Sequence, residues 1–469
     1  MFCVMTARAQ TTGRRARPWF VLAIASTANF LTILDLWVVV VAYPTLERAF
    51  APTTLSAVSW ILNVYTITLA ALLVPAGRLA DAFGRRRGFL VGLAAFGVAS
   101  LGCGLAPSLA VLIACRAVQA IAAAVLMPTS LGFVLSAFEP QQRGTAVGVW
   151  AAVGAVAASS GPVLGAALMT WSWRWIFFIN VPLVLGAVIA GAVLLPSTAA
   201  RVRRRVDWLG AGLVLGAMAL VCTGLVEASS GPRWRTSAVL AVGGVLAAWF
   251  VVHVRRDPAP VVAPRLFAAR RFQVGVAGIF VYYVGFSGML LGSTLLVTDV
   301  WGFSALHTAL AIAPGPTTAS AVAPFAGWVG RRLGFRRTIV VAAGLFAASA
   351  GWQLLAWSAT PAYATALLPS LCCWGLANGL LQPALFATAD AAPPDEVASG
   401  SAVLTMARQL GSAFGVALLV AVLHADHAAD PGGLRRVWLV VLATAAMTAL
   451  VGVGARPAAG PADPVMHEV

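Results

Sequence analysis

No lysine occurs in this chain; all 31 basic residues are arginine. A phosphate-binding loop of the usual form closes on Gly-Lys-Ser/Thr, so none is present. Schiff-base chemistry and a kinase-type catalytic lysine are excluded on the same ground. Charge of either sign is scarce: 10% of the 469 residues are charged, where a soluble globular domain carries about a quarter. Cysteine is sparse too, with six residues and no Cys-x-x-Cys spacing. Cys103, Cys115, Cys222, Cys372 and Cys373 lie in apolar runs and read as small buried groups, not as a metal or disulfide framework. No cluster of nucleophile, base and metal ligand occurs, so no enzyme activity, cofactor or metal is expected. His424 and His427 in one short loop are too weak a signal for a metal site.

Apolar residues are abundant instead, at 60% of the chain. A helix needs about 20 apolar residues to cross a bilayer. Fourteen such runs occur, at 19–41, 56–76, 89–105, 109–131, 147–168, 177–195, 208–226, 238–254, 272–297, 306–329, 339–355, 364–386, 397–423 and 437–453. The first is too long for the core of a cleaved signal peptide and is expected to remain as a membrane helix. Arginine placement tests the count. With the N-terminus in the cytoplasm, 23 arginines fall on the inner side and six on the outer, while Arg116 and Arg408 fall inside spans. Membrane proteins keep loop Lys/Arg on the cytoplasmic side. The bias therefore orients the chain in the cell membrane with both termini inside. It also accounts for the net charge of +16 without a nucleic-acid partner.

Two basic segments mark a repeat. GRLADAFGRRR occupies 77–87, after the second span, and GWVGRRLGFRR occupies 327–337, after the tenth. Six spans thus surround each, with an extra pair between them. The expected fold is an all-α membrane protein of fourteen transmembrane helices. A cytoplasmic tail at 1–17 precedes a six-helix bundle at 18–200. A two-helix insert at 201–260, a second six-helix bundle at 261–456 and a tail at 457–469 follow. Transporters built from repeats place their substrate site at the repeat interface near the midplane. In the first hinge Gly77 and Gly84 allow close backbone passage and a turn. Asp81 can pair with Arg85 to Arg87, a cluster made and broken as two helical blocks rock. The second hinge carries Arg331 where Asp81 stands in the first.

An ionisable side chain inside a span costs about 3 kcal/mol or more and marks a functional candidate. Asp35, Arg116 and Arg408 qualify. By a rise of 1.5 Å per residue, Asp35 lies roughly 9 Å and Arg116 roughly 10 Å below the outer boundary, so an Asp–Arg pair between the first and fourth helices is geometrically open. Burial favours the neutral acid and a nearby guanidinium favours the carboxylate, so such an acid is poised to exchange a proton. A static structural pair is the plainer alternative. Arg408 sits near mid-membrane, where it binds an anionic solute group or holds a backbone carbonyl. Trp374, Asn378, Gln382 and Phe386 share one helix face, and Tyr282, Phe286 and Met289 share another. These faces suit an amphiphilic organic solute, or equally helix packing.

These residues also match a family. GRLADAFGRRR resembles the loop between helices two and three of the major facilitator superfamily. ACRAVQAIAAAVLMP, 114–128, resembles its fourth-helix motif, with Arg116 and Gln119 in place and Ala120 and Ala122 where glycines are usual. SSGPVLGAAL, 159–168, is similar to the antiporter motif, retaining Gly161, Pro162 and Gly165. SWRWIFFINVP at 172–182, together with fourteen spans, resembles the fourteen-helix drug:proton antiporter branch. LDLWVVVVAYP at 34–44 resembles that branch's first-helix signature, with Trp37 in place of Thr and Val40 in place of Asn. The resemblance implies a multidrug or antibiotic efflux transporter that exchanges protons for an organic solute by alternating access. Asp35 and Arg116 would couple protons, and the first hinge would switch conformation. Gln119, Tyr282, Phe286, Trp374, Asn378, Gln382 and Arg408 would form the substrate cavity. The expected partners are protons, a small organic substrate and the lipid bilayer, with a monomeric carrier. A proton-coupled nutrient importer and a non-transporting membrane sensor or scaffold stay open at this point.

Overall fold

The computed structural model describes residues 18–51, 55–139, 142–196, 206–228, 232–358, 360–391, 397–423 and 431–454. Both tails and the His424–His427 loop lie outside them, as does the side chain of Asp81. Among the described residues every regular element is helical. In a bilayer a continuous helix satisfies its backbone N–H and C=O groups within the segment, which is why apolar runs of this length fold so.

The helices are α1 (Pro18–Ala49), α2 (Leu55–Phe83), α3 (Arg85–Leu105), α4 (Leu109–Ala137), α5 (Arg143–Met169) and α6 (Trp175–Leu194, with a break at Ile179). The inserted pair is α7 (Trp208–Glu227) and α8 (Arg233–Arg256). The second set is α9 (Arg270–Leu295), α10 (the pieces Ala305–Ile312, Pro314–Val322 and Ala326–Leu333), α11 (Phe335–Leu355), α12 (Leu368–Phe386), α13 (Val397–Leu423) and α14 (Pro431–Val453). Thirteen described helices are long and apolar enough to cross a membrane as they stand. The tenth expected span is the exception. Pro314, Pro316 and Pro324 withhold backbone donors and break it into pieces.

The repeat is visible in the packing. In the first set α1 packs on α5, α3 on α4, α2 on α4 and α3 on α6. The second set repeats these contacts eight helices later: α9 on α13, α11 on α12, α10 on α12 and α11 on α14. The sets meet along two seams, α2 with α13 and α5 with α10. The hinges repeat as well. Gly84 and Gly334 precede α3 and α11 with φ of 97° and 78°, a backbone region reserved for glycine.

The inserted pair flanks the first seam. α7 contacts both α2 and α13, and Ile67, Cys222, Val226, Ala413, Ala417 and Val420 form a small apolar core there. α8 packs on α7 and is otherwise largely exposed, which leaves most of that helix for lipid.

Candidate functional site: a buried charge network beside a central cavity

Asp35 and Arg116 meet. Asp35 on α1 is 1% exposed and Arg116 on α4 is 0% exposed, and the guanidinium Nη1 donates directly to Asp35 Oδ2. Two charges removed from water hold together only when their remaining lone pairs and protons are also satisfied. Gln119, one helical turn after Arg116, does much of this. Its Nε2 donates to Asp35 Oδ1 at 2.9 Å, and its Oε1 accepts from Arg116 Nη1 at 2.7 Å. Asn180 on α6 adds a donor to Asp35 Oδ1 at 3.3 Å and another to Ser100 Oγ at 2.9 Å. Ser100 in turn donates to the Phe177 carbonyl at 2.9 Å. Arg116 Nε donates to the Ile61 carbonyl at 3.2 Å, and the guanidinium lies 4.2 Å from the centre of the Tyr65 ring. Arg116 Nη2 has no hydrogen-bond partner. Asp35 is thus the one counter-charge in the network, and the other groups on Arg116, from Gln119, Ile61 and Tyr65, are neutral.

Sequence reading placed Gln119 in the solute cavity. The structure draws it into the charge network instead, because its i+3 spacing from Arg116 sets both side chains on one face. Asn180, Ser100 and Tyr65 were missed. Asn180 lay in view inside SWRWIFFINVP, as the one amide in a segment that is aromatic and apolar from Trp175 onward.

A cavity of about 490 Å³ lies between the two helix sets, walled by α1, α2, α4 and α5 on one side and α9, α10, α12 and α13 on the other. Phe286, Asn378, Gln382 and Arg408 line it, as do Trp37, Tyr65, Trp150, Tyr283 and Phe386. Tyr282 and Trp374 do not. Tyr282 is fully buried behind the wall, where its hydroxyl donates to Asn378 Oδ1 at 3.0 Å. Trp374 turns against the backbone at Gly315, 2.6 Å from where a Cβ would stand. Tyr65 has two roles, since it walls the cavity and seats the Arg116 guanidinium. Trp37 reaches across the interface to Phe286, with ring centres 6.1 Å apart. A second hollow, about 470 Å³ between Trp19, Phe30, Val149 and Leu183, is apolar and carries no charged side chain.

The glycines of the antiporter-like segment bring α5 onto α1. A Cβ at Gly161 would stand 2.7 Å from Trp37 Cβ, and one at Gly165 would stand 3.1 Å from Val38 Cγ1. Pro162 is buried within α5. At the first hinge, a Cβ at Gly77 would meet Pro128 at 3.2 Å. Arg85 donates to the Gly132 carbonyl at 3.3 Å and Arg86 to the Ala192 carbonyl. Arg78 donates to the carbonyls of Ala259 and Pro260, at 3.0 and 2.9 Å, in the segment that joins α8 to the second helix set.

Two matched helix sets around a central cavity, with a paired acid buried beside it, define a multi-pass membrane carrier. The chain belongs to the Major Facilitator Superfamily, whose family model matches residues 25–416. It is 34% identical over 439 residues to the puromycin resistance protein pur8 of Streptomyces alboniger, covering 89% of this chain and 86% of that protein. It is 32% identical over 406 residues to the multidrug resistance protein Stp of Mycobacterium tuberculosis, covering 84% of this chain and 74% of that one. The fold matches that of a D-xylose–proton symporter with a TM-score of 0.67 at 15% identity, covering 93% and 97% of the two chains. A transporter of this family carries small organic solutes and is not an enzyme.

Proposed function

We propose that this protein exports a drug-like or antibiotic-like organic solute from the cell in exchange for protons, by alternating access. The resistance and export roles named for its relatives support the direction. The observation that carries the coupling is the placement of Asp35. It is buried with Arg116, Gln119 and Asn180, outside the cavity wall, yet α1 also supplies Asn29, Thr32, Ile33, Leu36 and Trp37 to that wall. Proton and solute then occupy separate sites on one helix. They need only bias the same two-state rocking to be coupled. Protonation of Asp35 frees Arg116 from its counter-ion, and Tyr65 passes the change to the cavity wall. The arginine bias supports a plasma-membrane carrier with cytoplasmic termini, and we take the carrier to be a monomer.

The test uses energised inverted membrane vesicles, with tetracenomycin C as first probe. Solute-dependent collapse of the pH gradient is the expected result, and its loss in Asp35→Asn with solute binding retained assigns the coupling. Proton-driven flux that survives Asp35→Asn removes Asp35 from this role. Binding without flux in the intact protein favours a sensor.

A further inference from the structure

We propose that Arg408 makes the central cavity selective for flat aromatic organic anions, carboxylates or acidic phenols, over neutral analogues and organic cations. The proposal rests on reading this cavity as the solute site.

Among the described residues lining the cavity, Arg408 is the one charged side chain. No acid shares the wall, since Asp35 lies outside it and is already held by Arg116. Arg408 has no salt bridge among the described residues, and its Nε is buried without a hydrogen-bond partner. The sequence left two uses for this arginine, an anionic solute group or a backbone carbonyl. No described carbonyl takes its protons, which removes the second. What the guanidinium does have is aromatic company: Tyr283 and Phe386 ring centres lie 5.9 Å away, and the neutral Tyr283 hydroxyl is a hydrogen-bonding neighbour that leaves its charge uncompensated. A cation seated between ring faces keeps its fork of N–H donors directed at an incoming acceptor.

An unneutralised cation in a cavity of low dielectric attracts an anion far more strongly than it would in water and repels a cation as strongly. An organic cation entering here finds no carboxylate in the wall to meet it. Trp37, Tyr65, Phe286 and Phe386 supply ring faces for a planar solute, and Gln382 and Gln409 also line the wall and carry amide donors. The charge also affects energetics. Exporting a monoanion for n protons moves n + 1 positive charges inward, whereas a neutral solute moves n. A membrane potential, negative inside, therefore drives the export of an acid directly.

The test measures equilibrium binding to the purified full-length protein in nanodiscs, with no gradient. The probes are anthracene-2-carboxylate, its carboxamide and anthracen-2-ylmethylammonium. The carboxylate should bind on the order of tenfold more tightly than the carboxamide, the factor that a charge-assisted hydrogen bond carries, with the ammonium weakest. Arg408→Gln should erase that preference while leaving carboxamide affinity in place, which also shows that the variant is folded. Arg408→Glu should invert the preference toward the ammonium. Equal binding of acid and amide, equal loss of both in Arg408→Gln, or no binding by any of the three overturns the proposal. Asp35→Asn is expected to keep the charge preference and lose proton-driven flux, so failure of the coupling and failure of the selectivity read out separately.

Discussion

The two hinges share a sequence spacing and a backbone, yet only one is knitted into the molecule. Gly84 and Gly334 have the same left-handed φ and each opens a long helix. Around the first, Arg78, Arg85 and Arg86 all donate to carbonyls of distant segments. Around the second, Arg331, Arg332, Arg336 and Arg337 are exposed, Arg332 resting over Trp328. The same inequality runs through the halves. The first buries Asp35, Arg116, Gln119 and Asn180 in one hydrogen-bonded network, while the second holds Arg408, which has no acidic partner among the described residues. Duplication preserved the geometry but not the charges: both copies wall the cavity, while the buried ion pair lies in the first and the cavity's charged side chain in the second.

The largest effects should come from unbalancing the network. Arg116→Ala leaves Asp35 buried without its cation, at a cost of about 3–5 kcal/mol. Asp35→Asn should lower stability less, because Gln119 and Asn180 still find an amide oxygen, but should abolish proton-coupled flux. The double variant Asp35→Asn/Arg116→Gln separates the two roles. Thermal unfolding in detergent should recover most of the loss seen in Arg116→Ala, while coupled flux stays absent. If coupled flux returns in the double variant, the pair is structural and the division between the halves fails.

Helix packing gives the next test, because both halves place glycine where the fifth helix crosses the first. A Cβ at Gly161 would press on Trp37 Cβ at 2.7 Å, a side-chain atom. At the matching crossing of α13 on α9, a Cβ at Gly411 would press on the Phe280 carbonyl oxygen at 2.4 Å, and one at Gly415 on the Val284 carbonyl oxygen at 2.4 Å. Overpacking costs about 1–3 kcal/mol, and more where backbone must move. Gly411→Ala should therefore unfold at a lower temperature than Gly161→Ala. The reverse order would mean that α13 shifts more easily than α5.

The hinges themselves should respond in two ways. Gly84→Ala and Gly334→Ala should each cost about 1–3 kcal/mol, because both positions hold a backbone conformation closed to alanine. Their arginines should differ. Arg331→Gln is an exposed change and should leave transport within about twofold of the parent protein. Arg78→Gln cuts the tie to Ala259 and Pro260 and should slow turnover measurably more. Equal rates in initial-uptake measurements would show that the first hinge carries no more of the motion than the second.

Much of this was open to inspection in the sequence, and the misses have physical reasons. Asp35 and Arg116 were matched by depth because charges in apolar helices are rare. Asn180 and Ser100 were passed over because uncharged polar groups in spans are ordinary and their partners lie on other helices. The Trp374 stripe was correctly seen as one helix face, but that face is shared: Asn378, Gln382 and Phe386 reach the cavity, while Trp374 is spent on α10. The broken α10 was legible from its prolines, which composition alone hides among apolar neighbours. Gly411 and Gly415 have the four-residue spacing of a close helix crossing, a signal as plain as that at Gly161 and Gly165. No sequence pattern could have joined Arg78 to the segment after α8, because a guanidinium reaching two carbonyls leaves no trace in residue type.

That segment supports the smallest prediction, and a pH-dependent one. Asp207 caps α7: Oδ1 accepts from Gly210 N at 2.7 Å and lies 2.8 Å from His253 Nε2, and Oδ2 accepts from Val261 N at 2.9 Å. Burial works against its charge, but the bonds from Gly210, His253 and Val261 outweigh it and hold the carboxyl below its usual range. A depressed value in the folded state means that the charge adds stability above the unfolded value of about 3.9 and loses it as pH falls through the folded value. Asp207→Asn keeps the shape of the cap without the charge. Its deficit in thermal unfolding should be about 1 kcal/mol at neutral pH, typical of a carboxylate at a helix N-terminus, and should close as pH drops below about 4. Because Val261 adjoins the carbonyls that Arg78 holds, the same substitution should loosen the tie between the first hinge and the second helix set. Combining it with Arg78→Gln should then slow turnover by less than the two separate effects would give together. A deficit that ignores pH, or two effects that simply add, would detach this corner of the insert from the hinge.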